Sequence, residues 1–148
     1  MTEHSKIFLS PPHMSGRERE LVMEVFDSNF VAPAGPMIDR FEKEFCAFTG
    51  HKAAVALSSG TAAMDIALRL LDVGENDEVW VSDLTFIGGV SPILYQGAKP
   101  VFLDVSKETW TLDVALLTAE LERANQSGRL PKAVIPVDLY GQSCDLDP

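Results

Sequence analysis

A turn of small and hydroxyl residues, segment 58–63 (SSGTAA), is the part of the chain best suited to chemistry. An apolar run leads into this turn and a helical pattern leads out of it. A strand that opens a helix through such a turn directs several backbone N–H groups to one place, at the positive end of the helix dipole. The pattern is typical of a phosphate site, with Gly60 as the helix entry, Ser59 or Thr61 as the cap and Ala62 in the first turn. A tight turn without any ligand is an equally good interpretation of these residues alone.

A second turn, segment 83–86 (DLTF), also follows an apolar run and opens a helical pattern. Phe86 at its end is suited to stacking on a flat ring, and Thr85 is suited to bonding a ligand or capping the helix. Considered alone, the residues favour Phe86 as an ordinary core residue. Gly88 and Gly89 lower helix propensity and leave room for another group to approach closely.

A third turn, segment 138–142 (DLYGQ), follows the last apolar run. Tyr140 and Gln142 would present a phenol and an amide to a ligand there. The alternative interpretation is a simple turn with a half-buried tyrosine.

The hydrophobic pattern of the sequence after Gly50 predicts the helices and strands that position these turns. Short apolar runs alternate with helical patterns, which indicates an α/β fold with a mostly parallel sheet and helices on both faces. Ligands of such sheets lie at the carboxyl ends of the strands, where all three turns fall. The predicted strands are residues 53–57, 78–82, 100–104 and 132–137, and the predicted helices are residues 61–71, 86–96 and 114–125.

Two helices are predicted before this sheet. The first begins at a capping box formed by Ser15 and Glu18, and the second follows a Pro- and Gly-rich loop at residues 29–36. Gly50 is expected to end the second helix. The glutamates of these helices are expected to lie on solvated faces: Glu18, Glu20, Glu42 and Glu44.

Composition excludes several classes of protein. The 148 residues include 12 Lys and Arg against 22 Asp and Glu, a net charge of −10, which disfavours nucleic-acid binding. No apolar stretch approaches the roughly 20 residues of a membrane helix, so we expect a cytoplasmic protein without membrane or nucleic-acid partners. Cys46 and Cys144 lack metal-ligand spacing, and no metal site is predicted. The segment 58–63 matches neither the P-loop nor the dinucleotide-binding pattern.

Six motifs occur in an order that resembles the N-terminal part of the sugar aminotransferases of the DegT/StrS type. They are segments 9–14 (LSPPHM), 32–36 (APAGP), 58–63 (SSGTAA), 84–86 (LTF), 100–105 (PVFLDV) and 139–142 (LYGQ). This resemblance implies a pyridoxal-phosphate (PLP) enzyme with the aspartate-aminotransferase fold, the large domain of fold type I. The opening motif most resembles the branch that makes UDP-4-amino-4,6-dideoxy-N-acetyl-hexosamines for bacterial pilin and glycoprotein glycans.

The resemblance also implies roles for individual residues. Gly60, Thr61 and Ala62 match the turn that binds the cofactor phosphate, together with Ser59. Phe86 matches the aromatic residue that stacks over the pyridine ring, so here the resemblance favours stacking over a core role. Residues near the sugar substrate or the cofactor are implied with less detail: Pro33, Gly35, Thr85, Tyr140 and Gln142.

The implied reaction is ping-pong transamination of a UDP-linked 4-keto-6-deoxy sugar, with glutamate as the amino donor, in a homodimeric enzyme. In the family, the Schiff-base lysine and the aspartate facing the pyridine nitrogen lie beyond the position of Pro148. We therefore expect a fragment that is inactive alone, with a lead-in at residues 1–50 and the first part of the PLP-binding domain at 51–148. The alternatives are a dehydratase with histidine in place of lysine, a non-catalytic binding remnant of the same family, and an unrelated flavodoxin-like domain.

Overall fold

The computed structural model describes residues 6–8 and 11–146, so Leu9 and Ser10 of the opening motif lie outside the described residues. The chain divides into two compact units, Met1–Ala56 and Leu57–Pro148. The predicted domain boundary at residue 50 stays a prediction. Among the helices of the described residues, none has the length and hydropathy required to span a membrane.

The first unit contains the two predicted helices, α1 (Glu18–Asp27) and α2 (Pro36–Thr49). Gly50 ends α2 with φ at 75°, as predicted, because this left-handed conformation carries little cost without a Cβ. The capping box forms only in part. The Glu18 carboxylate accepts N–H bonds from Ser15 and Gly16, but the Ser15 hydroxyl bonds the N–H of Arg17 rather than that of Glu18.

The predicted strand at residues 53–57 is wrong as an assignment, because the segment pairs with no strand in the described part of the chain. The exposure of its side chains still alternates along the segment, as it does in a strand. Ala54 and Ala56 are half-buried, while Val55 and Leu57 are exposed. Strand pairing requires a partner as well as a suitable sequence, and none is present in residues 6–8 and 11–146.

The second unit is built on a parallel sheet of three strands, β1 (Glu78–Ser82), β2 (Lys99–Leu103) and β3 (Ala133–Ile135), in the order β2-β1-β3. The bounds of β1 are those predicted. β2 begins one residue earlier than predicted, and β3 is half the predicted length. The α/β class and the mostly parallel sheet are confirmed.

Three helices accompany this sheet: α3 (Gly60–Leu70), α4 (Ser91–Tyr95) and α5 (Val114–Gln126). The long helix predicted at residues 86–96 is wrong. It is divided into a 3-10 turn, Ile87–Gly89, and the short α4, because two glycines and Pro92 interrupt regular helical bonding.

The sheet separates two apolar clusters. Val79 and Val81 of β1 belong to the cluster that includes Leu68 of α3 and Ile93 of α4. Trp80 points to the opposite face, where the second cluster includes residues of α5. Because successive strand residues face opposite sides, both faces of β1 are covered, and its carboxyl end leads directly into the turn that carries Phe86.

Candidate functional site

The turn before α3 has the geometry of a capped helix N-terminus with free donors. Ser59 is extended, with φ at −164° and ψ at 160°, and its Oγ accepts the N–H of Ala62 at 3.1 Å. The N–H groups of Gly60 and Thr61 have no acceptor among the described residues. These two unpaired donors lie at the positive end of the helix dipole, which favours an anion there.

Phe86 lies at the end of the turn that follows β1 and is 78% exposed. Its carbonyl accepts the N–H of Gly89 at 2.9 Å, which fixes the start of the 3-10 turn. The interpretation of Phe86 as a core residue is therefore wrong. An aromatic ring presented to solvent beside a backbone turn remains available to a flat ligand.

The turn before α3 and the turn that carries Phe86 approach each other at Gly88. A Cβ built at this position would lie 2.6 Å from Oγ1 of Thr61 and 3.0 Å from two atoms of the Phe86 ring. The Thr61 hydroxyl and the aromatic ring therefore converge on the same glycine. The expected close approach at Gly88 is found, although its partner is the side chain of Thr61 rather than a ligand.

A cavity of about 400 Å³ lies between these groups. It is lined by Ser59, Gly60, Thr61, Met64, Phe86, Gly88 and Gly89. None of these seven residues carries a titratable side chain, so attraction for an anion comes from backbone N–H groups and the helix dipole rather than from a charged side chain. Sequence reasoning missed Met64, which follows Gly60 by four residues and so lies on the same face of α3.

The lining of the cavity has the chemical groups that suit the two ends of a pyridoxal phosphate. Two N–H donors and the Thr61 hydroxyl suit a phosphate group, and the exposed ring of Phe86 suits the pyridine. The position of a Cβ on Gly60 has no atom within 4 Å, so the backbone there is open to a ligand. Pockets that hold small ligands typically measure about 300–1,000 Å³.

Other predicted site residues lie outside the lining of this cavity. The Ala62 N–H is occupied by Ser59, and Thr85 is half-buried with its Oγ1 3.5 Å from the Phe86 carbonyl. Tyr140 is exposed in a turn closed by reciprocal backbone bonds between Leu139 and Gln142, so the half-buried tyrosine is wrong. Gln142 lines a different cavity, of about 360 Å³.

Two predicted residues belong to the first unit. Gly35 precedes α2 with φ at 146° and lines an apolar cavity of about 300 Å³. The Phe30 ring packs against it so closely that a Cβ there would lie 2.2 Å from a ring carbon. Pro33 belongs to the same loop but does not line that cavity.

Comparison with known proteins identifies the family of the chain. EpsN of Bacillus subtilis (strain 168), whose name describes a pyridoxal phosphate-dependent aminotransferase, is 51% identical over 97% of this chain and 37% of its own length. The GDP-perosamine synthase of Caulobacter vibrioides is 38% identical over the whole chain and 38% of its own length. A crystal structure of a DegT DnrJ EryC1 StrS aminotransferase from Brucella abortus superposes with a TM-score of 0.76 at 30% identity, covering 86% of this chain and 34% of that one.

The chain thus spans somewhat over a third of the length of the curated relatives it matches. The family model for DegT/DnrJ/EryC1/StrS aminotransferases matches residues 12–148. These aminotransferases depend on PLP. The chain belongs to the DegT/DnrJ/EryC1/StrS aminotransferase family of PLP-dependent sugar aminotransferases.

Proposed function

We propose that the intact protein is a PLP-dependent aminotransferase that aminates a nucleotide-linked 4-keto-6-deoxy sugar with glutamate as the amino donor. The observation that carries this proposal is the convergence of two unpaired N–H donors and an exposed aromatic ring on one cavity, in a chain of this family. When bound, the cofactor supplies an electron sink for transfer of the amino group.

The residues of this chain bind and orient the cofactor in this proposal. The N–H groups of Gly60 and Thr61 and the Thr61 hydroxyl hold the phosphate, while Ser59 fixes the first turn of α3 by bonding Ala62. The Phe86 ring covers one face of the pyridine and excludes water from it. All of these groups are neutral, so they bind the phosphate without an ion pair.

Substrate contacts are proposed for five residues outside the cavity lining: Pro33, Gly35, Thr85, Tyr140 and Gln142. The exposure of Tyr140 supports this role, because its phenol is available in a turn that follows the sheet. We propose that UDP carries the sugar, on the basis of the opening motif. GDP is the competing carrier, because GDP-perosamine synthases are among the relatives.

We also propose that the complete enzyme is a cytoplasmic homodimer without nucleic-acid or membrane partners. The 148 residues alone are proposed to be inactive. None of the six lysines present, at positions 6, 43, 52, 99, 107 and 132, lies in a motif that matches the family's catalytic lysine. Borohydride labelling of any of these lysines by PLP, accompanied by turnover, would contradict this inactivity.

The phosphate role of the turn is tested by Ser59→Asp. Aspartate caps helices as well as serine does and its charge suits the α3 dipole, so thermal stability should be retained. The added charge lies beside the proposed phosphate, so affinity for a PLP analogue without the aldehyde, deoxypyridoxine phosphate, should fall by about tenfold or more. That analogue binds without a lysine, so the result does not depend on the catalytic residue.

A matched control exists at α5, where Asp113 caps the helix by accepting the N–H of Leu116 at 3.0 Å. Asp113→Ser makes the reverse exchange of the same two residue types at the N-terminus of a helix. Asp113 does not line the cavity, so this variant should leave affinity for the analogue unchanged. Equal affinity in Ser59→Asp and the parent protein would refute the phosphate role. Turnover assays with UDP- and GDP-linked keto sugars then decide the carrier.

A further inference from the structure

Among the glutamates on the first two helices, Glu42 bonds a distant part of the chain, whereas Glu18, which is also half-buried, bonds residues of its own turn. Glu42 was expected on a solvated face, but it is half-buried, while its neighbours Lys43 and Glu44 are exposed. Its Oε1 accepts the backbone N–H of Ala56 at 2.7 Å, fourteen residues further along the chain. The solvated-face interpretation of Glu42 is therefore wrong.

The partner of Glu42 belongs to the extended segment at residues 53–57. This segment pairs with no strand in the described part of the chain, and Val55 is 76% exposed. Within residues 6–8 and 11–146, the bond from Ala56 to Glu42 is the one hydrogen bond made by the backbone of this segment. A bond from an N–H to a carboxylate is short and about twice as strong as a neutral one.

The same segment leads into the proposed phosphate turn. Ala56 precedes Ser59 by three residues, and Ser59 is the residue whose oxygen caps α3. Among the described residues, the Ala56 N–H is the last backbone N–H before the turn that has a hydrogen-bond acceptor. The position of the Ala56 backbone therefore limits the paths that the next three residues can take.

We propose that Glu42 is a positioning residue for the phosphate turn, acting through its hydrogen bond to Ala56 rather than by contact with the cofactor. The inference rests on the proposed function of that turn. Its carboxylate fixes the backbone that enters Ser59, and this keeps the Gly60 and Thr61 donors in their binding arrangement. Because a phosphate site made of backbone donors depends on backbone position, loss of this anchor lowers affinity even though no contact with the ligand is removed.

Three variants separate this role from general effects of charge and helix stability. Glu42→Leu has similar volume but no acceptor, whereas Glu42→Gln keeps an acceptor oxygen in the same place. Glu44→Gln is the matched control on the same helix, since Glu44 bonds Arg40 at 2.7 Å and does not contact the segment. All three are made in the intact protein.

Two measurements are made on each variant: amide hydrogen exchange at Ala56 and Ala62, and affinity for deoxypyridoxine phosphate. In Glu42→Leu, we expect exchange at Ala56 to rise by about tenfold or more, the size expected for one charge-assisted bond, and affinity to fall by about three- to tenfold. The Ala62 amide, which bonds Ser59, should also exchange faster. Glu42→Gln should retain most of the parent behaviour, and Glu44→Gln all of it.

Other outcomes would refute the positioning role, the hydrogen bond as its cause, or the proposed function. Unchanged exchange at Ala62 in Glu42→Leu, with faster exchange at Ala56, means that the anchor does not act on the turn and refutes the positioning role. Loss of affinity in Glu42→Gln equal to that in Glu42→Leu refutes the hydrogen bond as its cause. Absence of analogue binding in the parent protein instead refutes the proposed function, and the exchange data at Ala62 still decide whether Glu42 orders the turn.

Discussion

Replacing Phe86 with alanine separates a binding role of this ring from a structural one. The ring is 78% exposed beside the cavity, so removing it deletes little packing from the folded protein. If the ring stacks on the pyridine of the cofactor, its removal weakens binding. If it is an ordinary apolar side chain on the surface, removal changes neither affinity nor stability appreciably.

The magnitude of the binding loss follows from the area that stacking would cover. Covering one face of the ring removes on the order of 40 Å² of apolar surface from water, which is worth about 1 kcal/mol. Specific attraction between two aromatic rings adds about 1 kcal/mol. A total of about 2 kcal/mol corresponds to an affinity that is roughly 30-fold weaker.

The assay is equilibrium binding of deoxypyridoxine phosphate to the intact protein, together with thermal unfolding in the absence of ligand. Ile87→Ala is the matched control, because Ile87 is the next residue, is also largely exposed and does not line the cavity. Neither variant should change the free energy of unfolding by more than about 0.5 kcal/mol. Ile93→Ala, at a side chain with no exposed surface, should instead lose about 2–5 kcal/mol of stability.

Two results would refute this reasoning about Phe86. Affinity of Phe86→Ala equal to that of Ile87→Ala would mean that the ring does not stack on the ligand. A loss of stability in Phe86→Ala comparable to that of Ile93→Ala would mean that the ring is part of the core after all. The two measurements are independent, so each result is informative alone.

Three further predictions concern local features. Ser59→Ala should cost about 1 kcal/mol of stability, measured by denaturant unfolding, because the Ala62 N–H loses its acceptor; an unchanged midpoint would show that the cap is dispensable. The pKa of Glu18 is lowered from 4.5 to about 2, chiefly because its carboxylate accepts the Ser15 N–H, so its stabilising effect is present above pH 4.5 and is lost as the pH falls towards 2. Titration of Glu18 by NMR should show this value and a higher one in Ser15→Pro, which lacks that N–H; identical titrations would exclude the bond as the cause. The 148 residues expressed alone should associate, measured by light scattering, since α1 and α2 bury no side chain fully and α2 exposes Phe48; a monodisperse sample with a sharp cooperative melt would contradict this.

Local signals in the sequence were sufficient for several elements. α2 was predicted between the Pro- and Gly-rich loop and Gly50, and the helix is found there with Gly50 in the left-handed conformation at its end. β1 was predicted to the residue, because an apolar run bounded by acidic residues has few alternatives in an α/β chain. The turn at Ser59 was predicted from capping chemistry that acts over three residues.

Features that depend on distant partners were not predictable in this way. The segment at residues 53–57 has the composition of a strand, yet a strand exists only where another strand pairs with it. The sequence around Glu42 is that of an exposed helical glutamate, and its bond to Ala56, fourteen residues away, forms only in the folded chain. Likewise, the choice between a buried and an exposed Phe86 depends on which neighbours cover the ring.

By itself, the sequence determined the α/β alternation, the capped turn before α3 and, through six ordered motifs, the family to which the chain belongs. The tertiary structure decided that Thr61 and Phe86 converge on Gly88, that the lining between them is uncharged, and that Glu42 bonds the segment leading into the turn. The physical reason is the range of the interactions. Hydrophobic periodicity and helix capping depend on a few consecutive residues. A cavity and a long-range side-chain hydrogen bond form only after folding brings distant residues together.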